Sequence, residues 1–397
     1  MPPPIGNGFK ICYHQNMQPE IFETDIEDLK NIAPDKYQII DIRDEYAFEY
    51  GHIPGAMNVP LERLEEKAET FSKEKLLILC CKSGQISFEA AQRLCEDGYN
   101  ATSLKGGYYA WLRKNLGNED KSKQAEQSIR KTFHKELWSR FAKAIQTYRL
   151  VQEGDKIAVC ISGGKDSMLM AKLFQELKRH DKFPFELVFL VMDPGYSPEN
   201  REIIEKNALS LGIPITVFES NIFDSVFNVE KSPCYLCARM RRGYLYAKAK
   251  ELGCNKIALG HHYDDVIETI LMGMLYGGQV QTMMPKLHST NFPGMELIRP
   301  MYLIREADII RWRNFNDLHF IQCACRFTDT CSVTGGNTGS KREQTKQLIA
   351  QLKKDNPQVE TNIFKSVEKV NLSTVIGYKD AQGIHSFLDD YDDISPR

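Results

Sequence analysis

Residues Cys160-Ile161-Ser162-Gly163-Gly164-Lys165-Asp166-Ser167, CISGGKDS, close the apolar run KIAVCI (156–161) and open the segment SMLMAKLFQELKRH (167–180). The change from a strand-length run to helical spacing across a short Gly-rich turn places a strand-to-helix junction here. Backbone N–H groups at such a helix start point at an anion, and the helix dipole favours its charge. Gly163 and Gly164 allow close backbone approach, Ser162, Lys165 and Ser167 add donors, and Asp166 shares the turn. A glycine pair alone is more often a structural turn. Between a strand and a helix, with a lysine and two serines, it reads as a phosphate cradle. The spacing is not the GxxxxGK-Ser/Thr pattern of ordinary nucleotidases.

The same alternation continues on both sides. Downstream, 186–192 (ELVFLVM), 214–218 (PITVF) and 256–260 (KIALG) have strand length, and YLYAKAKELG (244–253) is helical. Upstream, 37–42 (YQIIDI) and 76–81 (LLILCC) are followed by helical patterns such as FEAAQRLCEDGY (88–99). Both halves are expected to be α/β with parallel sheets. The polar stretch GNEDKSKQAEQSIRK (117–131) separates them. The expected organisation is a first domain over 1–117, a linker or bridging helix over 118–137, a second domain over 138–375 and an acidic, mobile tail over 376–397. No internal repeat is evident.

Composition sets the bounds. A chain of 397 residues exceeds one typical core, and 42% hydrophobic with 26% charged residues is ordinary for a soluble globular protein. No apolar run nears the roughly 18 residues of a membrane helix, and MPPPIGNGFK lacks a signal-peptide pattern. A cytoplasmic protein without a membrane partner is expected. Eleven cysteines there argue for reduced thiols, metal or catalysis rather than a disulfide framework. The net charge of −2 divides into −5 for residues 1–117 and +3 for the remainder. RMRR (239–242) and RWR (311–313) permit a nucleic-acid surface, but solvated helix faces account for them equally.

SGGKDS resembles the pyrophosphate loop of the PP-loop ATP pyrophosphatases, and ALGHHYDDVIET (258–269) resembles their second motif. Together with CYLCARMRR (234–242) and RPMYLIREADIIRW (299–312), the stretch from about 125 to 370 is similar to the TtcA-type tRNA 2-thiolation enzymes. The resemblance implies a doubly wound, nucleotide-binding parallel sheet. It implies that ATP and Mg2+ adenylate a carbonyl oxygen of a tRNA base and that pyrophosphate leaves. By motif position Asp265 resembles the catalytic aspartate, and Arg241 falls where some branches place a catalytic lysine. His261 and His262 either line the nucleotide pocket or pack beside it. Without the resemblance, Asp264 and Asp265 read equally as caps of the following helix.

Cys234 and Cys237 form PCYLC just ahead of a helix expected around 238–252, and Cys323, Cys325 and Cys331 follow in FIQCACRFTDTC (320–331). Their spacing admits structural zinc, an iron–sulfur cluster or plain core cysteines. The resemblance implies a 4Fe-4S cluster on Cys234, Cys237 and Cys323, with a fourth iron that carries the transferable sulfur. QCAC departs from the family's PCxxC, which keeps Cys325 as the alternative third ligand. Cys12, Cys95, Cys160 and Cys254 sit in apolar contexts and read as core residues.

DIRDEYAFEYGHIPGAMNVP (41–60) and LKGGYYAW (104–111) resemble rhodanese-like domains over about residues 20–115. In that family a cysteine at a strand end is ringed by backbone N–H groups. CKSGQIS (81–87) takes that place, with Cys81 as nucleophile and persulfide carrier and Cys80 facing the opposite way. Ile86 stands where thiosulfate-using rhodaneses often have arginine. Its lack of charge argues against anionic donors and against a phosphatase, and for a cysteine-desulfurase-type persulfide donor. An inert structural domain is the alternative. The whole is expected to be a homodimeric enzyme forming 2-thiocytidine in tRNA. The competing expectations are a small-molecule sulfurtransferase and a non-catalytic sulfur or redox sensor.

Overall fold

The computed structural model describes residues 23–116, 120–220, 233–321, 341–389 and 391. The first sheet contains β1 (Glu23–Thr24), β2 (Tyr37–Asp41), β3 (Met57–Asn58), β4 (Leu76–Cys80) and β5 (Ala101–Leu104). All pairings are parallel, in the order β1-β5-β4-β2-β3. Its middle strand, LLILC, is apolar throughout because both faces are covered. Ile78 and Cys80 enter one core cluster, while Leu77, Leu79 and Cys81 enter another. Cys80 and Cys81 therefore face opposite sides of the sheet.

β5, ATSL, escapes a hydrophobic reading because it buries two hydroxyls. Each is satisfied: Thr102 Oγ1 lies 2.9 Å from Thr24 Oγ1, and Ser103 Oγ lies 2.8 Å from Ser87 Oγ. Such pairing removes most of the penalty for burying a hydroxyl.

The second sheet contains β6 (Lys156–Ile161), β7 (Glu186–Asp193), β8 (Ile215–Glu219), β9 (Lys256–Ala258), β10 (Lys286–His288) and β11 (Glu296–Ile298). Its order is β10-β11-β9-β6-β7-β8, parallel except for the β10–β11 pair. From β6 the chain steps outward through β7 and β8, then crosses to β9 on the other side of β6. The carboxyl ends of β6 and β9 thus form a topological switch point, where α/β sheets bind ligands. The Gly-rich turn begins there. In the connector, the helix Ser122–Arg130 buries Ala125 and Ile129 in the main core, so amphipathic spacing turns a polar stretch into a packed element.

The described residues form two compact units. One holds both sheets and runs to Gly260, resuming at Pro285. The other comprises His261–Met284 and the described residues from 341 onward. Within this second unit, the Tyr263 ring stacks on Phe364 at 4.4 Å and its hydroxyl donates to the Glu360 carbonyl. Within the stretch expected as a tail, β12 (Gly377–Lys379) and β13 (Ile384–Ser386) pair as an antiparallel hairpin.

Candidate active site

β4 ends at Cys80, and Cys81 opens the loop that leads into the helix Gln85–Glu96. Three donors converge on Cys81 Sγ: Gly84 N–H at 3.1 Å, Ser87 N–H at 3.4 Å and Ser87 O–H at 3.2 Å. This is a cradle for a sulfur anion, built from a turn and a helix start. The GG of LKGGYYAW lies directly behind it. Gly107, at φ +59°, would place a Cβ 2.4 Å from the Cys81 carbonyl, so no side chain is tolerated there. Tyr108 N–H donates to that carbonyl at 2.8 Å. Arg43 Nη2 pairs with the buried Asp41 at 2.6 Å and donates to the Gly51 carbonyl at 2.7 Å, while its guanidinium lies 4.0 Å above the Tyr108 ring. The DIRDEY signature thus fastens the layer beneath the sulfur loop. Cys80 is fully buried, and burial pushes its thiol well up, with Asp41 adding to the shift.

At the end of β6, Gly163 adopts φ +88°, and a Cβ there would lie 2.5 Å from Ile204. Ser167 Oγ accepts from Ser162 N–H at 3.2 Å and donates to the Gly164 carbonyl at 3.0 Å, closing the turn on itself. The helix Lys165–Arg179 starts from this turn. Lys165 is 2% exposed, with Nζ 3.1 Å from Asp166 and 3.1 Å from Glu306. Burial disfavours its charge, but Asp166, Tyr50 and Glu306 outweigh burial and hold its pKa above the ordinary lysine value. Lys165 therefore stays cationic. Its backbone N–H donates to Tyr50 Oη at 3.0 Å, so an oxygen already sits at this helix start. That contact, with a charged lysine and two serine hydroxyls alongside, fits the loop to a phosphate group. A Cβ on Gly260, just past β9, would come 3.3 Å from Ser167 N. The strand leading into ALGHHYDDVIET therefore packs on the phosphate loop.

His261 and Asp265 belong to the second compact unit, at the start of the helix Tyr263–Gly277. Asp265 Oδ2 accepts from His262 N–H at 3.0 Å, and Oδ1 lies 2.8 Å from Arg342 Nη1. Burial opposes the Asp265 charge, but His262, His261 and Arg342 outweigh it and hold the carboxyl below the usual range. Asp265 thus caps its own helix as a charged carboxylate. Glu268, one turn on and 3.5 Å from Arg342 Nε, is pushed up to about 7 by burial, with Arg342 pulling the other way.

The helix carrying Cys234 and Cys237 runs Pro233–Glu251, starting five residues earlier than expected. Proline suits a first helical turn, where its missing N–H costs nothing. Both cysteines thereby lie within the helix, three residues apart. Arg241, on the same helix, has Nη2 3.4 Å from Tyr196 Oη, a contact within the first unit. Cys323 and Cys325 lie outside the described residues, and among the described residues no group of three His, Cys, Asp or Glu side chains could hold a metal. Sequence reading passed over Tyr50, Ser87, Glu306 and Arg342. Ser87, Glu306 and Tyr50 stood inside quoted motifs and Arg342 did not; Tyr50 and Arg342 reach their partners across 115 and 77 residues, which no local signal announces.

The Rhodanese-like domain family matches residues 25–114, and the PP-loop domain family matches residues 131–325. The chain is 35% identical over 249 residues to a tRNA-cytidine(32) 2-sulfurtransferase of Alkalilimnicola ehrlichii, covering 61% of this chain and 76% of that one. It is 37% identical over 246 residues to the enzyme of the same name from Alcanivorax borkumensis, covering 59% and 81%. Among solved structures, the U34-tRNA thiolase NcsA from Methanococcus maripaludis with its 4Fe-4S cluster aligns at 22% identity and a TM-score of 0.46, over 58% of this chain and 76% of that one. By its similarity over three quarters and more of these sulfurtransferases, the chain belongs to the tRNA-cytidine(32) 2-sulfurtransferase family.

Proposed function

We propose that this protein converts a cytidine of the tRNA anticodon loop to 2-thiocytidine, using ATP to activate the O2 oxygen. The observation that carries this reading is the SGGKDS turn at the sheet's switch point, with Lys165 buried and held cationic. In this reading Ser162, Gly163, Gly164, Lys165 and Ser167 seat the β- and γ-phosphates. Lys165 offsets the charge that grows on pyrophosphate as the base O2 takes up the adenylyl group. Asp166 and Glu306 keep the ammonium in place. By motif position Asp265 would hold Mg2+, His261 would border the nucleotide, and Arg241 would offer a cation to the reacting centre. Sulfur then adds at C2, and AMP departs with the original oxygen.

A 4Fe-4S cluster on Cys234, Cys237 and Cys323 would supply an iron able to bind sulfur. Cys234 and Cys237 fall three residues apart in one helix, a spacing that suits a shared site, and Cys323 lies outside the described residues. Cys81 serves as the persulfide carrier, its outer sulfur delivered by a cysteine-desulfurase-type donor; release of that sulfur at the sulfide level takes two electrons from a thiol reductant and returns Cys81 to the thiol. The three donors on Cys81 Sγ support this role, as does uncharged Ile86 in the first turn of the following helix.

The test supplies unmodified tRNA, ATP, sulfide and anaerobically reconstituted protein, then measures AMP and thionucleoside together. Both are expected to rise in step. Thiolation without ATP, or AMP formation indifferent to tRNA, overturns the reading. Cys81→Ser is expected to keep activity with free sulfide and lose it when a desulfurase, cysteine and a thiol reductant replace sulfide. Equal activity with both sources would remove Cys81 from the relay.

A further inference from the structure

The acceptor at the head of the phosphate loop comes from the other sheet's domain. Tyr50, at the end of the helix Glu45–Tyr50, brings its Oη 3.0 Å from Lys165 N. The same oxygen would lie 3.4 Å from a Cβ on Gly164, and Lys165 Nζ lies 5.2 Å from the ring centroid. The phenol donates to the Ile321 carbonyl at 3.2 Å. Burial is the main cause that lifts Tyr50 above the ordinary phenol range, so this proton stays in place. A neutral oxygen thus occupies the position that a phosphate oxygen takes at a helix N-terminus.

The contact is anchored from both sides. Arg313, 6% exposed, donates to the Tyr50 carbonyl and lies 5.5 Å from its ring. On the other side, Arg43 binds the carbonyl of Gly51, the next residue, and covers Tyr108 next to the Cys81 loop. One backbone N–H does not serve both a phenol and a phosphate in full.

We propose that Tyr50 is a plug in the phosphate subsite: the docked rhodanese-like domain and the β,γ-phosphates of ATP compete for Lys165 N–H, so nucleotide entry expels Tyr50. This rests on ATP being the ligand of the loop. Its consequence is that sulfur-carrier docking through Tyr50 and nucleotide loading alternate.

The experiment titrates the full chain with α,β-methylene ATP and magnesium, and separately with AMP, by calorimetry. Tyr50→Phe keeps the ring and removes the competing oxygen. It is expected to tighten the analogue by roughly 3- to 10-fold, the equilibrium factor of one neutral hydrogen bond, and to leave AMP unchanged. Arg313→Gln, which loosens the segment without touching the phenol, is expected to act in the same direction. In the parent protein, amide exchange over 45–51 is expected to rise when the analogue is added. Weaker binding by Tyr50→Phe would make Tyr50 a phosphate donor and overturn the plug, and unchanged binding would overturn it as well. Equal tightening of AMP would overturn the assignment to the phosphate subsite. If the parent and both variants all fail to bind the analogue, the ATP reading falls and the plug with it. Binding by the parent with no effect of either variant sinks the plug alone.

Discussion

Lys165 is a residue at which fold and the proposed chemistry meet. Its ammonium is buried between Asp166 and Glu306, and removing one member of such a group leaves charge without compensation. Lys165→Ala is expected to lower tRNA-dependent AMP formation by about 10²–10³, the scale of one preorganised charge-stabilising donor. It is also expected to cost about 3–5 kcal/mol of stability. Lys165→Met combined with Glu306→Gln restores the melting midpoint but not the rate, which separates the two roles; recovery of both would reduce Lys165 to a structural part. Glu268 gives a pH-dependent prediction at the same scale. Its folded-state value of about 7 stands above the ordinary 4.5, so between these two pH values the folded state holds a proton that the unfolded state has lost. Stability from this group is intact below about 4.5 and is lost as pH rises through 7. Glu268→Gln should therefore gain on the parent between pH 5 and pH 8, by up to roughly 3 kcal/mol. Denaturation midpoints at the two pH values measure this, and a gap that shrinks with rising pH refutes it.

Elements register the same forces through the backbone. Gly98 and Gly107 both have positive φ, but only Gly107 is hemmed in, its Cβ position 2.4 Å from the Cys81 carbonyl, whereas Gly98 has open space. Gly98→Ala is expected to cost about 1–2 kcal/mol, the penalty of a left-handed conformation. Gly107→Ala is expected to cost several-fold more and to abolish sulfur uptake by Cys81, read by thermal melting and intact mass. Similar losses at both sites would show that the sulfur loop yields to a methyl group. The long apolar strands were legible because a parallel sheet covered on both faces needs continuous hydrophobic runs, as β4 and β6 have. β5 was not legible, since Thr102 and Ser103 become acceptable inside only once Thr24 and Ser87 arrive to pair with them. The start at Pro233 was missed because a proline before a helix and a proline inside its first turn look alike in sequence.

Across the whole molecule, legibility ends where partners are far apart along the chain. The phosphate loop was readable from eight consecutive residues, but its Tyr50 neighbour belongs to the other sheet's domain, and no periodicity announces such a pair. The motif ALGHHYDDVIET reads as one stretch, yet the chain passes from one compact unit to the other between Gly260 and His261. The proposed metal centre has the same character, since Cys234 and Cys237 open one helix while Cys323 lies 86 residues further along. A three-thiolate site of that kind ties remote segments together, so its loss should be read in iron content and in global stability at once. After anaerobic reconstitution, the parent protein is expected to hold close to four irons. Cys234→Ala, Cys237→Ala and Cys323→Ala are each expected to lose iron and to melt earlier, while Cys325→Ala keeps both properties. Iron lost from Cys325→Ala and retained in Cys323→Ala would move the third ligand by two residues. Tightly held zinc with no iron in the parent would replace the cluster with a structural site and leave the sulfur to be delivered by Cys81 alone.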